Sequence, residues 1–230
     1  VHFLDYCQNG QLGCIIVHRD LKPANILLRL DDSIAVSDFG VCHIIKLSAA
    51  GEGSAQQVEE QQQLPNAPAA AWPGPAAVAA AAAAPLYTNI GTPFYAAPDV
   101  YGTGAAAASS GGSDGGDSSS SSKRSYDASV DVFALGVVVV EMLLGSLAGV
   151  CGSGAPRSVA QAEQWEQRLG MLVDGELQLP EGVVVSAAAR QFISCCCGGG
   201  KERAAAAARG EAKRLTPAQL KQTAWMQQQQ

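Results

Sequence analysis

The chain has 230 residues, of which 47% are apolar, but alanine runs such as Ala79 to Ala84 and Ala204 to Ala208 inflate that figure and aromatics supply only 6%. Its formal charge is −6, and its 15 Lys and Arg are spread along the whole length, which excludes the clustered basic surface that nucleic-acid binding requires. The longest purely apolar stretches, Ala76 to Ala84 and Val132 to Val140, are too short for roughly 30 Å of hydrocarbon, so no membrane span is expected.

Seven cysteines, three of them adjacent at Cys195 to Cys197, suit neither a disulfide framework nor a zinc site and point to a reducing compartment. No charged-then-apolar leader opens the chain, so it reads as soluble and cytoplasmic, with the nucleus also open to it. Small residues on a buried helix are the simplest use for the cysteine triplet. His2 and His43 have no ligand-spaced partners, Trp165 and Trp225 read as helix-packing residues, and Glu59-Glu60 and Lys123-Arg124 read as solvated loop charges.

Taken from the N-terminus, Ile15 to Val17 and Ile26 to Leu30 are short β-branched or leucine-rich runs. Asp31 and Asp32 then mark a turn into Ile34 to Val36, a pattern of strand, loop and hairpin. Three compositionally biased stretches interrupt the patterned sequence, at about 48–85 (Gln, Ala, Pro), 102–125 (Gly, Ser, Ala) and 198–213 (Gly, then charged Ala). Their apolar content does not offset their ordering entropy, so all three are expected to be disordered insertions within one domain. The block DVFALGVVVVEMLLG, Asp131 to Gly145, is ambiguous locally: four consecutive valines favour a strand, while its length favours a buried helix. Helix starts are clearer beyond it. Ser158 with Gln161 heads a helix to about Val173, Ser186 heads one to about Cys197, and Thr216, Pro217 and Gln219 form a cap, first-turn proline and capping-box partner.

His18 to Asn25 spell HRDLKPAN, and Asp38-Phe39-Gly40 follows 13 residues after Asn25. Phosphoryl transfer from a nucleotide needs a carboxylate to orient a hydroxyl, a cation beside the transferred phosphate and oxygen ligands for Mg²⁺, and these residues contain all three. Both motifs belong to the general signature set of protein kinases. Gly91 to Asp99, GTPFYAAPD, is similar to GTPxYxAPE at the end of a kinase activation segment. Asp131 to Gly136 is similar to DxWSxG at the start of the central helix, which favours helix for the ambiguous block. Arg214-Leu215-Thr216 with Trp225 is similar to the RxT…HPW ending, Thr223 and Ala224 standing in place of His-Pro.

The chain therefore resembles the eukaryotic protein kinase superfamily, serine/threonine type. The resemblance implies an α+β, mainly α-helical fold: a protein-kinase-like C-lobe with a short β-hairpin at the catalytic loop and long disordered insertions. Residues 1–226 would form this partial kinase domain and 227–230 the start of a Gln-rich tail. Val1 to Tyr6 would end the helix before the catalytic loop, and Gln8 to Gly13 would be a small insertion after it. SDFGV, GTPFY and the AWM ending look nearest to calmodulin-dependent and related kinases.

Carried over by position, the resemblance makes Asp20 the catalytic base and Lys22 the contact to the γ-phosphate of ATP. Asn25 and Asp38 become Mg²⁺ ligands, and Leu27 the apolar floor under adenine. His18, Phe39 and Gly40 are structural, His18 and Phe39 packing in the internal spine, and Asp131 holds the catalytic-loop backbone. Lys22 and Thr92 carry the Ser/Thr pattern. Arg19 implies regulation by a phosphate on the activation segment, with Thr88 the phosphosite and an upstream kinase as partner beside the protein substrate. Asp99 stands where the family has glutamate and would pair, with less reach, with Arg214. A Gly-rich loop, strand lysine and helix glutamate do not precede His18 in these residues, so the chain alone is expected to be inactive. The alternative is a non-catalytic, pseudokinase-like binding module that keeps the lower lobe as a docking surface.

Overall fold

In order along the chain, the elements are α1 (His2–Gln8), β1 (Cys14–Val17), β2 (Ile26–Leu28), β3 (Ile34–Val36), β4 (His43–Lys46), α2 (Gly74–Ala82), α3 (Ser129–Leu144), α4 (Ala148–Cys151), α5 (Val159–Asp174), α6 (Ala187–Cys197), α7 (Lys201–Ala208), α8 (Pro217–Leu220) and α9 (Ala224–Gln227). This is a computed structural model, and it describes residues 1–47, 74–102, 125–151, 154–211 and 214–228.

Burial resolves the ambiguous valine block as α3. Val130, Val132, Phe133, Ala134, Val137, Val139 and Val140 are all buried in one hydrophobic cluster, and Val138 is buried as well. A valine in a helix costs at most about 0.7 kcal/mol relative to alanine, whereas full burial of its side chain contributes about 1.5–3 kcal/mol, so tertiary cover outweighs local preference. Gly145, at φ 71°, ends the helix in the left-handed conformation that glycine adopts at least cost.

The principal partner of α3 is α6, and the two approach closely at Gly136. A Cβ there would lie 2.6 Å from Cys197 Sγ and 2.7 Å from Cys196 Cβ, so the crossing admits no side chain at 136. Cys195 to Cys197 are all buried and serve as small packing residues; burial pushes the Cys197 thiol up to about 12, far from reactive thiolate chemistry. Ser158 and Ser186 accept the Gln161 and Ala189 N–H groups at the starts of α5 and α6, and Thr216 with Gln219 closes a reciprocal capping box on α8.

Two small antiparallel sheets lie ahead of this helical body. β2 pairs with β3 as the expected hairpin, Leu27 opposite Ala35. β1 pairs with β4, Ile15 opposite Ile45 and Val17 opposite His43, and the buried Ile15 and Val17 turn that sheet toward the core. β4 is absent from the expectations of the sequence, since its partner lies far back along the chain.

The biased stretches depart from expectation where they are described. Gly74–Ala82 and Lys201–Ala208 are helical rather than disordered. Apolar content understates such segments, because alanine has the highest intrinsic helix propensity and loses no side-chain entropy on ordering. Docking then holds each in place. Val78 of α2 packs at Gly10 and the Ala82 carbonyl accepts the Ala128 N–H, while Asp174 accepts the first N–H of α7 and Ala206 is buried. The expectations for 48–73, 103–124, 212–213 and 229–230 lie outside the described residues. No helix among the described residues is long and apolar enough to cross a membrane.

Candidate active site

The catalytic loop hangs from α3 by one carboxylate. Asp131, only 1% exposed, accepts the His18 N–H at 2.7 Å on Oδ2 and the Arg19 N–H at 2.8 Å on Oδ1. Burial raises its pKa to about 6, opposed by those two backbone N–H groups and by the charge of Arg19. The loop carries local strain as well: Arg19 and Asp38 both have positive φ, 66° and 63°, which costs a non-glycine residue on the order of 1 kcal/mol or more. Gly91 explains how the activation segment reaches this loop, since a Cβ there would sit 2.8 Å from the Arg19 carbonyl oxygen.

Asp20, Lys22 and Thr92 form a closed triangle. Thr92 Oγ1 donates to Asp20 Oδ1 at 2.6 Å, while Lys22 Nζ donates to Asp20 Oδ2 at 2.7 Å and to Thr92 Oγ1 at 2.9 Å. Partial burial tends to raise the Asp20 pKa, but the hydrogen bonds from Lys22 and Thr92 and the lysine charge prevail and hold it below the usual carboxylate value. Residues some seventy positions apart thus meet in one ionised, oriented carboxylate.

Asn25 is buried, and its side-chain nitrogen donates to the Asp20 carbonyl at 2.9 Å. With the nitrogen engaged, Oδ1 is the end of the amide available to a cation. The Asn25 carbonyl accepts the Ser37 N–H at 2.9 Å, which ties the start of β2 to the residue before Asp38. Asp38 is exposed and its Oδ1 accepts the Gly40 N–H at 3.3 Å. Among the described residues no cluster of three His, Cys, Asp or Glu is placed to hold a metal. One amide oxygen and one carboxylate suit a hard cation such as Mg²⁺, which keeps most of its shell from water and phosphate oxygens. Leu27, on β2, is 49% exposed.

Behind the loop, the rings of His18 and Phe39 stand edge-on at 4.9 Å, and Phe3 of α1 joins both at 6.3 and 6.2 Å. His18 Nε2 lies 3.0 Å from the Ser37 carbonyl. Phe3 completes this ring cluster without any signal in the sequence that marks it. The Arg214 guanidinium lies with Nη2 2.6 Å from Asp99 Oδ2, donates from Nη1 to Ser129 Oγ at 3.2 Å and covers the Phe133 ring. The Asp99 contact is an ion pair rather than an aligned hydrogen bond, and Arg214 Nε and Nη2 have no hydrogen-bond acceptor among the described residues.

Three further side chains fix the end of the activation segment. Tyr95 donates to Glu141 at 2.5 Å, Trp165 Nε1 donates to the Phe94 carbonyl at 3.0 Å, and Tyr101 donates to the Pro93 carbonyl at 2.6 Å. Trp165 is therefore a hydrogen-bonding anchor as well as the packing residue its sequence context suggests. Thr88 is exposed, and its carbonyl accepts the Tyr126 hydroxyl.

The sequence profile of the protein kinase domain matches residues 3–226. Among curated proteins, the chain is 27% identical over 170 residues to a probable serine/threonine-protein kinase, ndrB, of Dictyostelium discoideum, covering 69% of this chain and 26% of that protein. It is 30% identical over 145 residues to CBL-interacting serine/threonine-protein kinase 20 of Arabidopsis thaliana, covering 63% and 20%. It is 25% identical over 130 residues to the serine/threonine-protein kinase PAK 1 of Mus musculus, covering 56% and 14%. The chain thus spans about a quarter or less of the length of these relatives, whose names do not converge on one subgroup. With a profile match across nearly its whole length and these motifs in one site, the chain belongs to the protein kinase family, serine/threonine type.

Proposed function

We propose that this chain is the catalytic-loop-bearing lower lobe of an enzyme that transfers the γ-phosphate of ATP to serine and threonine hydroxyls of a protein substrate. The observation that carries this reading is the Asp20–Lys22–Thr92 triangle. Asp20, ionised at neutral pH, orients the substrate hydroxyl and accepts its proton as the new oxygen–phosphorus bond forms and the bond to ADP breaks. Lys22 neutralises charge on the transferred phosphate. Asn25 and Asp38 would hold Mg²⁺, which supplies charge neutralisation across the phosphates when bound. Leu27 would lie under adenine. Thr88 is the proposed acceptor of an activating phosphate from an upstream kinase, with Arg19 as its partner. The free cysteines fit a reducing compartment such as the cytoplasm.

The test is phosphate transfer from γ-labelled ATP to a generic protein substrate by the full-length protein. Asp20→Asn is expected to lower the rate by about 10²–10⁴-fold, and the 230-residue chain by itself is expected to transfer nothing. Undiminished transfer by the Asp20→Asn protein would sink the catalytic reading. One observation favours a binding module instead: Leu28, Leu30 and Ile34 form an exposed apolar edge beside the site. No nucleotide affinity, with partner binding indifferent to Asp20→Asn, would establish that rival.

A further inference from the structure

Among the described residues, Arg19 has three hydrogen-bond acceptors around its guanidinium, and none carries a charge. Nε donates to the Val41 carbonyl at 2.6 Å, Nη2 to the Cys42 carbonyl at 3.2 Å and Nη1 to the Tyr126 hydroxyl at 3.4 Å. The same hydroxyl donates onward to the Thr88 carbonyl at 2.7 Å. Tyr126 is 5% exposed, and its backbone pairs both ways with Leu86: Leu86 N–H to the Tyr126 carbonyl at 2.6 Å, Tyr126 N–H to the Leu86 carbonyl at 3.0 Å. The phenol therefore sits where the catalytic loop, the residues after Asp38-Phe39-Gly40 and the segment around Thr88 converge. Phenylalanine would satisfy the packing alone. A buried hydroxyl must find partners or cost about 1–3 kcal/mol, and this one finds an acceptor and a donor on two different segments.

We propose that Tyr126 is a positioning residue for the phosphoryl-transfer site, acting through Arg19. Its hydroxyl links Arg19 to Thr88 in the unphosphorylated chain and holds the activation segment in register before any phosphate is present. The inference rests on the kinase reading above and on Thr88 as the phosphate acceptor. Of the three bonds to Arg19, the one to Tyr126 is the longest, so it is the one a phosphate on Thr88 would replace. A phosphate offers Nη1 a charge-assisted bond of roughly twice the strength of a neutral one. The relay is thus dispensable after phosphorylation and needed before it, a dependence that packing of the ring does not produce.

The test compares Tyr126→Phe with the parent chain by hydrogen exchange, read at the Leu86 amide and the Arg19 Nε–H, each of which is hydrogen-bonded. Loss of the relay is expected to speed exchange at both by about five- to tenfold, with the Val137 and Phe192 amides of the core unchanged. A Tyr126→Phe chain carrying phosphothreonine at position 88, installed by semisynthesis, is expected to return to within about twofold of the parent. Thr88→Ala is expected to exchange like the parent, because only the Thr88 carbonyl is used. Parent-like exchange in Tyr126→Phe overturns the proposal, and so does faster exchange shared equally by Val137 and Phe192, which would be a packing effect. Faster local exchange that phosphothreonine does not reverse leaves the relay standing and removes Thr88 as the phosphate partner of Arg19. If Tyr126→Phe does not fold, the unaltered chain decides. The Tyr126 hydroxyl proton must give a resonance protected from water and close to Thr88, and its absence overturns the relay.

Discussion

α3 and the β2–β3 hairpin are both written in aliphatic residues, and the fold treats them in opposite ways. Along α3 almost every face from Val130 to Val140 is covered, whereas on the hairpin Leu28 is 73% and Ile34 66% exposed. Yet the hairpin carries Leu27 and is flanked by Asn25 and Asp38, the groups proposed for nucleotide and cation binding, whereas α3 holds the backbone of His18 and Arg19 through the buried Asp131. Stability and the proposed chemistry are therefore lodged in different places: a buried helix fixes the loop at His18 and Arg19, and a lightly covered ribbon connects the two proposed oxygen donors, Asn25 and Asp38. Hydrophobic residues report their own surroundings only through the elements packed on them, not through their composition.

Removing the largest buried ring from α3 probes the strong side of this contrast. Phe133→Ala is expected to cost about 3–5 kcal/mol in urea unfolding; a loss below about 1 kcal/mol would show that α3 is not the anchor. Asp131, where the two regions meet, gives the next effect through pH. Its pKa in the folded chain is about 6 against an ordinary value of 3.8. Between those values the folded state binds more protons than the unfolded one, so the contribution of this group to stability grows as pH falls through 6 and levels off below 3.8. Relative to Asp131→Asn, the parent should gain roughly 2 kcal/mol between pH 7 and pH 4.5. A flat profile would place Asp131 in a solvated setting, and the opposite slope would mean that the His18 and Arg19 N–H groups outweigh its burial. Asp20, with its lowered pKa, runs the other way and contributes stability that is lost only at still lower pH. The smallest effect belongs to the hairpin tip: Leu30→Ser is expected to leave unfolding within about 0.5 kcal/mol, and a larger loss would mean that this edge is covered in solution.

What the sequence reveals follows from how local each signal is. The three helix starts at Ser158, Ser186 and Thr216 are legible because a cap and its partner lie three residues apart. HRDLKPAN and DFG are legible because their chemistry demands particular residue types at short spacing. β4 escapes because HIIK forms a strand only against Cys14–Val17, and nothing adjacent announces that pairing. Phe3, Tyr126 and the hydrogen bond of Trp165 escape for the same reason: each acquires its role only when distant segments close on one another. The alanine helices were obscured by a different error, a reliance on apolar content where backbone propensity decides.

The bridge between Leu86 and Tyr126 has a consequence for heredity. It joins the residues just beyond the Gln/Ala stretch to those just beyond the Gly/Ser stretch, and the Ala82–Ala128 bond reinforces it. The lengths of both tracts are thereby uncoupled from the geometry at Arg19 and Asp20. Insertion or loss of residues between 48 and 73 or between 103 and 124 is therefore expected to leave the contacts of Arg19 and Asp20 in place. Alleles differing there are expected to vary in chain length while sharing one catalytic loop.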